Sequence, residues 1–156
     1  MSELEAAPTN TTYFECVSPI LTVSDLAASL DYYVKVLGFK INWRTPDVAS
    51  VGRGRCGIML CEGEQGHPGA WVWIGVGDTD LLFQEYAATG AKMRHPPTNY
   101  PWAYEMQVLD LDDNVLRLGS EQKANQPIGP WLDMNGVLWI QSADGKWKRA
   151  ESVKTA

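Results

Sequence analysis

The sequence predicts an α+β chain in which one order of elements, βαβββ, occurs twice and is followed by a hairpin. Two helical patterns each open on a polar capping residue and close on glycine. Each is preceded by one strand-like segment and followed by three more. A last, tryptophan-bearing segment carries Asp-Gly where a tight turn belongs. The modules span about 15–62 and 70–119, joined by EGEQGHPG, and 122–156 forms an extension to a body at 14–121.

Taken in order, residues 15–23 (ECVSPILTV) read as a strand and SDLAASLDYYVKVLG as a helix. Ser24 suits the N-cap, Asp25 suits the positive helix end, and Gly38 suits a left-handed exit. Leu26, Leu30, Tyr33, Val34 and Leu37 share one helical face. Strands follow at 39–45, 47–52 and 56–62, with GRGR at 52–55 as a hairpin turn. In the second module 70–76 alternates as a strand, and a helix runs from an Asp78 cap to Gly90, burying Leu82, Phe83, Tyr86 and Ala87. Strands at about 91–95, 102–109 and 114–119 complete it, with DLDDN as the last turn. NGVLWIQSADGKWKR reads as the appended hairpin, and Trp131, Trp139 and Trp147 argue that it packs.

Charge and cysteine usage narrow the partners. The 156 residues carry 13 basic and 19 acidic side chains, a net −6, so phosphate backbones are repelled and nucleic-acid binding is not expected. Residues 1–121 hold 8 basic and 16 acidic side chains, a surface that favours a cationic small molecule weakly. No apolar run reaches the roughly 18–20 residues of a membrane span. MSELEAAPTNTT has neither a basic n-region nor an apolar h-region, so a cytoplasmic location is expected. Cys16, Cys56 and Cys61 are an odd set without a CxxC pair, which fits reduced thiols.

Two stretches, PILTVSDLAASLDYYVKVLGFKINWR at 19–44 and PWAYEMQVLDLDDNVLRLGSE at 101–121, resemble the glyoxalase / bleomycin-resistance / extradiol-dioxygenase (vicinal oxygen chelate) superfamily. The resemblance implies that each module curls its strands into half of a cup, with the helix on the convex side. Strand parity agrees: Val72, Ile74 and Val76 oppose Trp71, Trp73 and Gly75, and Leu21 opposes Ile20 and Thr22. The mixed polar–aromatic rows then face the cup.

Enzymes of that superfamily hold a divalent metal with His, Gln and Glu. The resemblance puts Ser18, Cys61, Trp71 and Arg117 at those four positions, with Glu62 or Trp73 reached if the middle two slip. Serine, tryptophan and arginine are not ligands for such ions, and His67 and His95 fall in apparent loops. No metal and no cofactor are therefore expected. What remains is recognition: Trp71 and Trp73, joined by Trp43, Met59 and Trp102, suit a flat ligand, with Ser18, Cys61, Glu105, Gln107 and Arg117 around them. A buried Glu105 needs a partner, and Arg117 on the neighbouring strand supplies it. Metal-free relatives are dimers that sequester a cationic glycopeptide antibiotic between subunits. The resemblance thus implies a homodimer that sequesters a small aromatic or cationic molecule. The alternative is a lyase, isomerase or oxygenase with a divergent or metal-free site, in which Glu105 acts as general base.

Overall fold

The computed structural model describes residues 12–132 and 135–150. The polar opening MSELEAAPTNT lies outside them. The first module is β1 (Ile20–Thr22), α1 (Leu26–Lys35), β2 (Lys40–Arg44), β3 (Val48–Arg53) and β4 (Cys56–Cys61). The second repeats it as β5 (Trp71–Gly75), α2 (Thr79–Thr89), β6 (Lys92–Asn99), β7 (Tyr104–Leu109) and β8 (Val115–Ser120). Strand orders match as well: β1-β4-β3-β2 and β5-β8-β7-β6, each with one parallel pair at the edge and antiparallel pairs elsewhere. The fold is the expected α+β double βαβββ, with its strands divided between two four-stranded sheets.

Local chemistry sets the helix limits. Asp25, not Ser24, caps α1: its backbone is extended and its carboxylate accepts from the Ala28 N–H at 2.8 Å. Ser24 instead donates its N–H to Asp112, tying the modules together. Asp78 caps α2 through the Leu81 N–H at 3.0 Å, and Gly90 closes that helix. Gly38 takes φ +75°, and a β-carbon there would lie 2.6 Å from the Arg53 guanidinium, which donates to the Leu37 carbonyl.

One core joins both modules. Leu26, Leu30 and Tyr33 of α1 pack on Leu21, Val51 and Leu60, while Leu82 and Tyr86 of α2 pack on Ile74, Met106 and Leu118. Phe83 is only half-buried, and Ala87 and Val34 are exposed. Polar contacts fasten the seam. The Tyr33 hydroxyl donates to Asp110 at 3.1 Å, that of Tyr86 to the Leu37 carbonyl at 3.0 Å, and Arg53 grips Glu85 with two bonds of 2.7 and 2.8 Å. Since both helix-bearing faces feed this core, the opposite face of each sheet looks outward.

Beyond Ser120, β9 (Trp131–Leu132), β10 (Leu138–Gln141) and β11 (Trp147–Arg149) make a third sheet, ordered β11-β10-β9. The expected hairpin is its β10–β11 part, turning at Asp144-Gly145 with Gly145 at φ +80°. Buried Asn99 ties the connector to β6: it bonds both the N–H and the carbonyl of Lys123, and the carbonyl of Gln126, at 2.8–3.0 Å.

Candidate functional site

The outward row of the second sheet follows from its register. Trp73 stands opposite Arg117, Arg117 opposite Gln107, and Glu105 opposite Gly119. Gly119 has no side chain to hold the Trp73 ring away: a β-carbon there would meet the indole at 3.2 Å. The indole therefore lies across the strand and donates its Nε1–H to Glu105 at 3.2 Å. The β6–β7 loop, closed by the Tyr100 N–H on the Ala103 carbonyl, delivers Trp102, whose Nε1–H reaches the same carboxylate at 3.3 Å.

Glu105 is the hub of this surface. It is 1% exposed and is gripped by Arg117, Nε to Oε1 at 3.0 Å and Nη2 to Oε2 at 3.1 Å. Four donors converge on its two oxygens, which satisfies the buried charge and fixes both indoles. The same four bonds engage the carboxylate, so the geometry gives no support to a general-base role. Trp102 stacks on buried Tyr100, centroids 5.0 Å apart and planes 4° from parallel. Trp71 lies beneath the Arg94 guanidinium at 4.9 Å, and Arg94 also donates to Gln107. Trp73 and Trp102 remain 53% and 51% exposed, an unusual fate for tryptophans whose polar atoms are already satisfied.

Sequence reasoning missed three residues here: Arg94, His95 and Tyr100. His95 is not a solvated loop residue. It sits in β6 at 7% exposure, its Nδ1 near the Pro96 carbonyl (2.9 Å), Thr98 (3.3 Å) and the Tyr100 hydroxyl (3.4 Å). The strand expected at about 91–95 runs on through Pro96 and Pro97 to Asn99, which is tolerated because β6 is the sheet edge and its ladder shifts register twice between Met93 and Thr98. Burial, helped by the nearby Arg94 charge, holds the imidazole below its ordinary pKa. The unfolded chain then takes up this proton first, so stability falls as pH drops from about 6.5 toward the lowered value. Melting of the wild type is expected to decline more steeply between pH 7.5 and 5 than that of His95→Gln, as scanning calorimetry at each pH reads directly.

The first sheet presents a second outward row. Met59 pairs with Ile20 and Ser50, and Ser18 lies beyond β1 beside Gly57. Trp43 stands opposite Ser50 and is 46% exposed. Cys61 departs from expectation: it is 3% exposed, and Gly63 of the linker lies over its sulfur, so the thiol is withdrawn from the open surface. The predicted residues thus form two groups within one chain. Trp71, Trp73, Glu105, Gln107 and Arg117 lie on the second sheet with Trp102 brought to them by the β6–β7 loop, whereas Trp43 and Met59 lie on the first with Ser18 beside it.

These side chains do not fit a divalent metal. At the four positions stand a hydroxyl, a withdrawn thiol, an indole and a guanidinium already bonded to Glu105. Among the described residues no three His, Cys, Asp or Glu side chains converge to hold an ion.

Paired βαβββ modules, each with a four-stranded mixed sheet and one helix, define a class of α+β proteins. The Glyoxalase/Bleomycin resistance protein/Dioxygenase superfamily model matches residues 14–130, and the chain belongs to that superfamily. Among solved structures, it is similar to the bleomycin-binding protein of bleomycin-producing Streptomyces verticillus complexed with copper(II)-bleomycin. That match has 24% identity and a TM-score of 0.62, covering 72% of this chain and 100% of the other. TioX from Micromonospora sp. ML1 is similar at 23% identity and TM-score 0.60, covering 69% and 99%. A glyoxalase/bleomycin resistance protein/dioxygenase from Nocardioides follows at 18% and 0.58, covering 76% and 91%. At these identities the likeness is one of fold. No curated protein matches the sequence. Among the described residues no helix is long and apolar enough to cross a membrane.

Proposed function

We propose that this protein binds a small, flat aromatic molecule without a metal ion, as a sequestering protein of the antibiotic-resistance kind. The carrying observation is the pair of half-exposed indoles, Trp73 and Trp102, held in fixed orientation by one buried carboxylate. Rigid aromatic walls lose little entropy when a planar ring docks on them. The similarity to a protein complexed with copper(II)-bleomycin supports a binding role, and the side chains at the superfamily's metal positions support metal independence.

The active unit in this reading is a homodimer in the cytoplasm. Each sheet offers one wall of a cleft, and the seam within the chain points both walls outward, so a second copy supplies the facing wall. Free Cys16, exposed at the surface, suits a reducing compartment. Titration with a panel of planar heteroaromatic compounds is expected to quench tryptophan emission, raise Tm and be indifferent to chelator, with a solution mass near twice 17.3 kDa. If the whole panel leaves emission and Tm unchanged, the binding reading fails.

A further inference from the structure

We propose that the outward groove of the first sheet is an oxyanion subsite, so that the molecule held is an aromatic acid rather than a cation. This rests on the binding role proposed above and assigns its ligand's charge.

A bulge between Ile41 and Trp43 breaks the β2–β3 ladder. Ile41 pairs with Val51 and Trp43 with Ser50, so the intervening Asn42 is left on the outward side beside Trp43. Asn42 lies over Gly52, where a β-carbon would come within 2.9 Å of its amide nitrogen, and donates to the Ser50 hydroxyl at 3.2 Å. Ser50 thereby accepts a bond and keeps its own proton to donate outward. Ser18, across Gly57, brings a second hydroxyl. Lys40 and Arg55 complete the groove, whose volume is about 490 Å³, the scale of a small-molecule site.

The charge of this groove runs against that of the chain. Its lining contains Lys40, Arg53 and Arg55 and no carboxylate, in a protein of net charge −6. Arg53 is committed to Glu85, but among the described residues Lys40 and Arg55 form no ion pair. On the second sheet, Arg117 and Glu105 neutralise each other. A ligand at these faces meets the local cations within a Debye length of about 8 Å, while the distant acidic surface is screened. Two cations and two hydroxyls in the groove match a carboxylate or a phosphate, and the exposed Trp43, outside the lining but next in sequence to Asn42, offers a ring surface beside it.

The test compares four compounds with one ring: 2-naphthoate, 2-naphthyl phosphate, neutral 2-naphthamide and 2-naphthylmethylammonium, titrated against the full chain by tryptophan quenching. The two acids are expected to bind about five- to tenfold tighter than the amide, the sum of two exposed charge contacts, and the ammonium weaker than the amide. The preference should shrink as salt rises from 50 to 300 mM. In the Lys40→Ala/Arg55→Ala double variant the acids should lose their advantage over the amide. In Lys40→Glu/Arg55→Glu the ammonium should bind best. Both residues are exposed, and Tm reports that each variant folds. An ammonium bound as tightly as the acids, or an acid preference that survives the double substitution, overturns the subsite while the aromatic reading stands. Failure of all four compounds, the amide included, overturns the aromatic reading itself.

Discussion

Replacing Glu105 by alanine is expected to destabilise the protein by about 3 kcal/mol, the lower end of the range for breaking a buried ion pair. The carboxylate is almost fully buried, but the Arg117 side chain keeps 31% of its surface, so water recovers part of the stranded charge. Two indole N–H groups lose their acceptor at the same time. The near-ultraviolet circular dichroism of the tryptophans should weaken, because Glu105 accepts from both indole N–H groups that set Trp73 over Gly119 and Trp102 beside Tyr100. Glu105→Gln should fall between, since its amide oxygen can accept from Arg117 while its nitrogen faces donors it cannot pair with. Chemical denaturation measures the first effect and dichroism the second. A loss under about 1 kcal/mol with an unchanged aromatic spectrum would show that Glu105 does not organise the surface.

What could be read from the sequence, and what could not, divides by range of interaction. The doubled βαβββ order was legible because caps, glycine exits and two-residue alternation are local signals, visible at Asp78, Gly90 and the Trp71–Trp73 row. Ser24 and Asp25 are both good caps in adjacent positions, and only the Asp112 contact decides between them. The first strand was expected from residue 15 but its ladder begins at Ile20, because Pro19 accepts from the Met59 N–H yet has no N–H of its own to extend the pairing, and residues 15–16 fall beyond Cys56, where β4 starts. The β2 bulge that leaves Asn42 on the same side as Trp43 has no sequence signature, and one residue of slip reverses every side chain beyond it. Edge-strand prolines hid His95, and the cover over Cys61 comes from a linker that reads only as a loop. The Glu105–Arg117 pair was foreseeable from parity, whereas the second and third acceptor duties of Glu105 depend on how two indoles lie.

Asp110 should prove as costly to remove as Glu105, for a different reason. It opens the DLDDN turn, and its Oδ1 accepts from the N–H groups of Asp112 (2.8 Å) and Asn114 (2.9 Å). Its Oδ2 accepts from the Asn114 side chain at 2.8 Å and from the Tyr33 hydroxyl at 3.1 Å. Asn114 in turn donates to the Thr22 carbonyl of the first module and accepts from the Ala70 N–H of the second. Asp110→Ala strands the fully buried Tyr33 hydroxyl and the Asn114 amide together, at about 1–3 kcal/mol for each unsatisfied group, so a loss of about 3–4 kcal/mol is expected. Acid dependence separates this from simple packing. Burial raises the Asp110 pKa against the lowering pull of its bonds to Asn114, Asp112 and Tyr33. Between the ordinary carboxylate value, about 3.9, and that raised value the folded chain binds more protons than the unfolded one, so through this group stability rises as pH falls. Asp110→Asn abolishes that contribution, and its unfolding free energy should therefore fall more steeply on acidification than the wild type's. A double-mutant cycle with Tyr33→Phe completes the test: a coupling above about 1 kcal/mol marks Asp110 as the joint that holds the two modules back to back, and additivity within about 0.5 kcal/mol rules it out.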